Sequence, residues 1–386
     1  MMLGLLLARA GVAVVVLEKH ADFLRDFRGD TIHPSTLDVM HELGLLDALL
    51  RLPHEEVTEL KAQIGETIVP IADFSHLPTR CRFIAFMPQW DLLDFLAREA
   101  GRFPTFQLRV RAEVTGLVEE AGRVVGVQAV TPEGPITVRA DLVVAADGRS
   151  SIVREKAGLP VQELGAPMDV LWFHLSRSND APQTLGRVDA GAIFILLNRG
   201  EYWQCGYVIP KGTFEQIKAA GLPAFRERVA RLAPATRDRV GELRDWDDVK
   251  LLTVRLDRVS TWYRPGLLCI GDAAHAMSPV GGVGINLAIQ DAVAAANILA
   301  TPLRERRVTV DDLRRVQARR ERPTRVTQRI QLVIQNRVVR SVLGATAPVS
   351  PPLLVRLLGK FPRLRRLPAR LIGMGIRPEH VRIRRV

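Results

Sequence analysis

The sequence predicts an α/β fold whose second domain is α+β, and three features predict it. Apolar runs at 12–17, 142–146 and 267–270 each end in an acid or a glycine and lead toward loop and helix patterns, the order of a parallel sheet covered by helices. Residues 165–260 change to short runs rich in β-branched and aromatic residues, as in an antiparallel sheet. From 287 to about 345 the apolar spacing is helical.

Taken in order, residues 1–10 read as a helix stopped by Gly11, and 12–17 as a strand buried on both faces. Glu18, with Lys19 beside it, ends that strand, where a dinucleotide-binding sheet meets a ribose hydroxyl. A further helix falls around 36–50. Residues 84–86 form a strand that feeds an amphipathic helix at 91–100, and 115–119 with 124–129 bracket a turn at Gly122. Residues 169–175, 192–198 and 202–209 read as antiparallel strands.

The richest segment is Gly271-Asp-Ala-Ala-His-Ala-Met-Ser-Pro-Val-Gly-Gly-Val-Gly-Ile-Asn286. It follows a short strand and opens a helix. Asp272 therefore stands at a strand's carboxyl end, where open α/β sheets bind ligands, and its carboxylate suits a ribityl or ribose hydroxyl. Gly281, Gly282 and Gly284 permit close backbone approach, Pro279 stiffens the turn, and His275 lies within it. Ile285 and Asn286 begin a helix whose free N–H groups favour negative charge. A second segment, 141–154, is an apolar strand ending in Asp147-Gly148, with Ser151 and Arg154 following. Arg28-Gly29 with Pro34 forms a third.

Together these segments resemble the FAD-dependent aromatic hydroxylases, the group A flavoprotein monooxygenases that include para-hydroxybenzoate and ubiquinone-pathway hydroxylases. Gly271, Asp272, His275, Pro279, Gly282, Gly284, Asn286 and Asp291 fall where that family's second FAD motif has them. The resemblance implies a Rossmann-like three-layer FAD/NAD(P)-binding domain, an inserted mixed or antiparallel substrate domain and a helical carboxyl-terminal region. It divides the chain into FAD-binding parts at 1–65, 81–160 and 261–300, substrate-domain parts at 66–80 and 161–260, and a helical region with a basic tail at 301–386. It implies further that Asp147-Gly148 and Arg154 lie near the pyrophosphate and the reductant, and that Arg28 and Gln89 touch FAD phosphate or ribityl oxygens.

One departure stands out. The family's Gly-x-Gly-x-x-Gly, expected about 20 residues before Glu18, is not in this sequence. Either the gene product begins upstream of Met1, which is the favoured expectation, or the pyrophosphate loop has been lost.

Composition narrows the classes. No apolar run approaches the ~20 residues that span a bilayer, and residues 1–16 lack the basic start of a signal peptide. Cys81, Cys205 and Cys269 are too far apart for a metal box or a disulfide framework, which fits a reducing cytoplasm. The net charge of +12 is concentrated beyond Pro351, where ten basic residues face one acid, Glu379. That distribution argues against a nucleic-acid binder. Leu353, Leu354, Leu357, Leu358, Phe361, Leu364 and Leu367 interleave with the charges, a pattern open to two readings: a solvated basic face packed on the body, or a peripheral membrane segment.

The family's chemistry, if it operates here, takes electrons from NADPH or NADH and transfers one oxygen atom of O2 through a flavin hydroperoxide to an electron-rich ring. The compact length favours phenolic, quinone-like or polyketide-like substrates, acted on by a monomer or a homodimer. No catalytic base is identifiable; His174 and Tyr207 are weak candidates, and Trp172, Phe194, Tyr202 and Trp203 are candidates for an aromatic pocket. A flavin-dependent halogenase is disfavoured, because Cys205-Gly-Tyr207-Val-Ile-Pro210 lacks the first tryptophan of Trp-x-Trp-x-Ile-Pro. An FAD-dependent dehydrogenase or reductase without oxygen transfer, and a degenerate flavin-binding protein, remain as alternatives.

Overall fold

Helix Met2–Arg9 buries Met2, Leu5, Leu6 and Leu7 and ends where Gly11 adopts a φ of 77°. In the computed structural model, which describes residues 1–24, 31–177, 185–347 and 349–384 apart from the side chains of Leu185 and Leu354, the strand Val14–Leu17 follows. It pairs in parallel with Phe106–Arg109. A second parallel pair joins Val143–Ala145 to Leu267–Cys269. Among the described residues no strand connects the two pairs. Helix Met2–Arg9 packs on both Gln89–Ala100 and Gly284–Arg304 and so ties them together. The expected burial of 12–17 on both faces is accordingly only partial: Val12 is buried, but Val15 is 42% exposed, since the strand hydrogen-bonds a single neighbour.

The helix expected at 36–50 is two helices, Pro34–Glu42 and Leu46–Leu49, separated at Gly44. The turn expected at Gly122 is formed by Ala121 and Gly122, both with positive φ, the two-residue geometry that matches strand twist. It joins Glu113–Glu120 to Arg123–Thr131, and a third strand that the sequence pattern did not reveal, Gly134–Arg139, completes the sheet.

The second domain is a seven-stranded sheet in the order Lys250–Leu252, Met168–Ser176, Tyr202–Pro210, Ala192–Asn198, Leu185–Asp189, Glu59–Ile64, Thr67–Asp73. All its pairings are antiparallel except Leu185–Asp189 with Glu59–Ile64. The chain therefore enters this domain before Glu59 rather than at residue 66. Alternation along the strands gives the sheet two apolar faces. One carries Phe173, Phe194, Trp203, Cys205 and Tyr207 and is covered by Phe225 and Val229 of helix Leu222–Leu232. The other carries Val170, Trp172, Leu197 and Val208 and packs with Phe74, Leu77 and Ala369, with Val280 at its margin.

Helix Gly284–Arg304 lies in the core. The stretch Val280–Arg304 is long and apolar enough to cross a membrane, contrary to the expectation from run length, but two thirds of its apolar window is buried in the protein. The long helix Val310–Ile334 follows, begun by a capping box in which Thr309 and Asp312 bond reciprocally. The tail forms helices Leu353–Lys360 and Arg366–Gly373, both packed on strand Thr67–Asp73. Residues beyond them are fastened to the body: Asn297 bonds the carbonyl of His380 and the amide of Arg382, each at 2.8 Å, and Glu42 accepts the Val381 amide at 2.7 Å. The tail is thus packed, with its outward faces exposed.

Phe225 contacts Phe173 edge-on at 5.6 Å and lies against Tyr207 and Trp246. Phe225→Ala is expected to cost about 3–5 kcal/mol, measured by urea unfolding; a loss under 1 kcal/mol would show that this face of the sheet is not a packed core.

Candidate functional site

The parallel register of Val143–Ala145 with Leu267–Cys269 brings two of the sequence motifs side by side. The Ile270 amide donates to the Ala145 carbonyl at 3.0 Å, and the strands then release Asp147-Gly148 and Gly271-Asp272 at the same sheet edge. The Asp147 carboxylate accepts from Ser151 Oγ at 2.5 Å and from the Val153 amide at 3.2 Å, which fixes the start of helix Ile152–Lys156. Ser151 caps that helix by accepting the Arg154 amide at 2.9 Å. Gly148 takes a φ of 87°, and a side chain placed there would meet nothing within 4 Å, so a ligand can lie against this turn. Asp272 is partly exposed; its one described partner is the Arg149 guanidinium at 3.6 Å.

Arg154 lies between the two motif loops. It is buried and donates to the carbonyls of Ala273 at 3.2 Å and Arg149 at 2.8 Å, with Asp257 3.8 Å away. The guanidinium joins the two motif loops. The Asn286 side chain is likewise engaged with protein. Its Oδ1 accepts the His33 amide and Thr36 Oγ, both at 2.8 Å, and its Nδ2 donates to the carbonyls of Thr31 at 2.8 Å and Gly282 at 3.2 Å. Those four bonds exhaust an amide side chain. Asn286 is a latch holding the glycine-rich turn to segment 31–36, which directly follows the Arg28 motif. Gly282 is required there: its φ is 62° and a Cβ would lie 2.2 Å from Thr31 Oγ1. Gly281, Gly284 and Ile285 stay partly or wholly exposed around Pro279. The first main-chain bond of helix Gly284–Arg304 runs from the Leu287 amide to Val283, which leaves the amides of residues 284–286 as the helix's open donors.

A buried network backs the turn. Asp291 accepts from the Gly271 amide at 3.1 Å, from His275 Nε2 at 2.6 Å and from Arg320 Nε at 3.0 Å, and Arg320 continues to Glu379 at 3.2 Å. His275 thus points into the core, against Trp262, rather than toward a ligand. Three glutamines on one face of the long helix and its π-helical continuation Gln335–Val339 clasp residues 276–280. Gln328 Nε2 donates to the carbonyls of Asp257 and Ala276, Gln331 Nε2 to those of Ser278 and Val280, and Gln335 Nε2 to Ser278 Oγ at 2.6 Å. Sequence reasoning missed these residues; their signal was amides at spacings of three and four in an otherwise arginine-rich helix.

The remaining candidates separate. Glu18 and Lys19 end the strand Val14–Leu17 on the other parallel pair, where Glu18 accepts the His20 amide at 2.9 Å. The Met1 amino group is buried close by; burial lowers its pKa and the charge of Glu18 opposes that. Gln89 begins helix Gln89–Ala100, and Arg28 lies outside the described residues. Tyr207 is corrected: it lies on the sheet face covered by Phe225, with Phe194 and Trp203, and burial raises its hydroxyl pKa while Arg228 opposes. That face is turned away from the glycine-rich turn. Trp172 lies on the opposite face, in the cluster that includes Val280, and its Nε1 is buried without a hydrogen-bond partner. His174 follows two residues on and stacks obliquely on Tyr202 at 4.8 Å. The Cys269 thiol, pushed up to about 12 by burial, is not a nucleophile.

His33 shows how tightly this region is packed. Its Nδ1 is 2.8 Å from the Ile372 carbonyl, its Nε2 is buried without a partner, and burial lowers its pKa from 6.5 to about 4 against the opposing bond to Ile372. Above pH 6.5 both folded and unfolded states hold it neutral. As pH falls toward 4 only the unfolded state takes the proton, so stability drops across that window, by about 3 kcal/mol in all. Unfolding at pH 7.5 and 4.5 is expected to show a smaller acid loss for His33→Asn than for the wild type; equal losses would refute the assignment.

The family described as FAD binding domain matches residues 1–330. The chain is 34% identical over 352 residues to 6-methylpretetramide 4-monooxygenase of Streptomyces rimosus, covering 90% of this chain and 84% of that protein. It is 27% identical to dialkyldecalin synthase of Streptomyces rugosporus over 76% of this chain and 61% of that one, so it spans less than two thirds of the synthase's length. The p-nitrophenol 4-monooxygenase structure from Pseudomonas putida superposes with a TM-score of 0.77 at 20% identity, over 97% of this chain and 96% of that one, a likeness of fold. With two of its FAD motifs joined at one sheet edge and 330 residues matched, the chain belongs to the FAD binding domain family, as an FAD-dependent oxidoreductase of the aromatic-hydroxylase type.

Proposed function

We propose that this protein is a monooxygenase that uses FAD, NADPH or NADH and O2 to hydroxylate an electron-rich aromatic ring of phenolic, quinone-like or polyketide-like character. The observation that carries this is the meeting of Asp147-Gly148 with Gly271-Asp272 beside a helix amino terminus. The residues present fit the ribityl and ring portion of FAD. Asp272 offers a carboxylate to ribityl hydroxyls, Gly148 leaves open space, and the donors of residues 284–286 favour negative charge at the ring's pyrimidine edge. When bound, FAD supplies the redox chemistry and the activation of O2.

The chain's own part is to hold, orient and dry. Val170, Leu197 and Val208 belong to one apolar cluster with Val280 of the turn, the side of the sheet on which we place the substrate ring. Trp172 Nε1 is the unpartnered donor on that side, suited to a substrate oxygen. We place the protein in the cytoplasm as a monomer or a homodimer, the free thiols of Cys81, Cys205 and Cys269 supporting a reducing compartment. Similarity to a dialkyldecalin synthase supports a second reading, a flavin-binding protein without oxygen transfer.

Asp272→Ala is expected to weaken FAD binding at least about tenfold, as the loss of a charge-assisted hydrogen bond does. Flavin content after gel filtration and a titration with FAD measure it, and undiminished affinity would refute the role of Asp272. With the protein saturated with FAD, NAD(P)H oxidation against a panel of phenols and hydroxyanthraquinones is expected to give a product heavier by one oxygen. Oxidation yielding hydrogen peroxide alone with every ring, or no NAD(P)H oxidation, would favour the second reading.

A further inference from the structure

The two carboxyl-terminal helices turn an apolar and cationic face to solvent. Leu353 is 74% exposed, Leu367 76%, Phe361 48% and Leu364 45%. Arg356, Lys360, Arg363, Arg366 and Arg370 are exposed among them, and no acidic residue occurs from 351 to 378. Arg365, by contrast, turns inward to Glu59 at 3.2 Å. Single exposed leucines are ordinary on soluble proteins, but four large apolar side chains within fifteen residues, interleaved with five cations, form a patch.

The patch cannot fold itself away. Helix Arg366–Gly373 is fixed by its other face: Ala369 is fully buried, and Gly373 fits so closely that a Cβ would lie 2.7 Å from Leu77 and 3.3 Å from Phe74 and Pro34. The Ile372 carbonyl is bonded to His33, and the chain beyond is tied to Glu42, Gln290 and Asn297. The exposed leucines therefore stay outward. Lys360 lies over the Phe361 ring at 5.8 Å, which keeps its charge at the same edge as the apolar group.

We propose that this face docks the protein peripherally on an anionic lipid surface, with Leu353, Phe361, Leu364 and Leu367 entering the headgroup–acyl boundary and the five cations pairing with headgroup phosphates. Shallow apolar insertion reinforced by attraction to anionic lipid is the energetics of interfacial amphipathic helices. The inner side of helix Arg366–Gly373 meets the cluster containing Trp172 and Val280, so the docked face backs directly onto the wall assigned to the substrate. The docking itself is independent of the proposed redox reaction.

The test is co-sedimentation of the full chain with vesicles of phosphatidylcholine alone or mixed equally with phosphatidylglycerol, at low and high salt. Binding to the mixed vesicles at low salt, falling with salt, and none to phosphatidylcholine, is the expected result. Leu364→Glu with Leu367→Glu, and separately Arg363→Glu with Arg370→Glu, are each expected to weaken binding by about twentyfold or more. Arg314→Glu, exposed on another helix, leaves it unchanged, and thermal unfolding shows that the variants are folded. A wild type that stays in solution with anionic vesicles overturns the proposal. So does full binding by the leucine variant, which would mean adsorption by charge alone, and so does retention on heparin with none on vesicles, which would assign the face to a soluble polyanion.

Discussion

Asp291 is wholly buried, yet it accepts hydrogen bonds from the Gly271 amide, His275 and Arg320. Burial by itself opposes ionisation, but the charges and hydrogen bonds of His275 and Arg320 outweigh it and hold the carboxyl below its ordinary pKa. A charge in such a place survives only when its partners saturate it, and losing one of them costs about 3–5 kcal/mol. The glycine-rich turn is therefore anchored at its first residue by an interaction that does not tolerate displacement. Through Arg320 the same anchor reaches Glu379, which Arg319 also grips at 2.6 and 3.0 Å. The tail is in this way part of the glycine-rich turn's foundation.

With its start fixed, the turn is held from both sides. Asn286 and Thr31 clamp the front, where the main chain passes between two elements too close for a side chain at residue 282. Gln328 and Gln331 satisfy the carbonyls behind, and Gln335 donates to the Ser278 hydroxyl. Irregular backbone deep in a protein must find partners for its polar groups, and side-chain amides supply them where no strand can. The result is a braced loop that presents the amides of residues 284–286 together at one helix end. Preorganised donors cost no rearrangement when a ligand arrives.

The strands and helices were legible because burial imposes its period on the sequence, and the motif at 271–286 was legible because glycine and proline mark where the backbone must turn. Roles were less so. Asn286 and Arg154 have residue types and spacings that suit a ligand, and their side chains also tie distant protein segments together. Nothing local in a sequence says which partner a polar side chain finds when the partner is 250 residues away, as Thr36 is from Asn286. Tyr207 illustrates the same limit for faces: the alternation shows that it differs from its neighbours, but only the sheet's placement shows which face meets the turn. The glutamine clasp was invisible for a related reason, since all but one of its partners are main-chain carbonyls that carry no residue identity, the exception being Ser278 Oγ.

The division of the parallel sheet has a consequence for how a dinucleotide is held. Glu18 stands on one strand pair and Asp272 on the other, and among the described residues no hydrogen-bonded strand links the pairs. Packing of Met2–Arg9 against Gly284–Arg304 and Gln89–Ala100 sets their separation instead. Strand ladders hold register to a fraction of an ångström because each bond is directional, whereas helix packing rests on non-directional contacts that can slide. A ligand long enough to touch both Glu18 and Asp272 would itself act as a brace between the two halves, adding to folding stability in proportion to its binding.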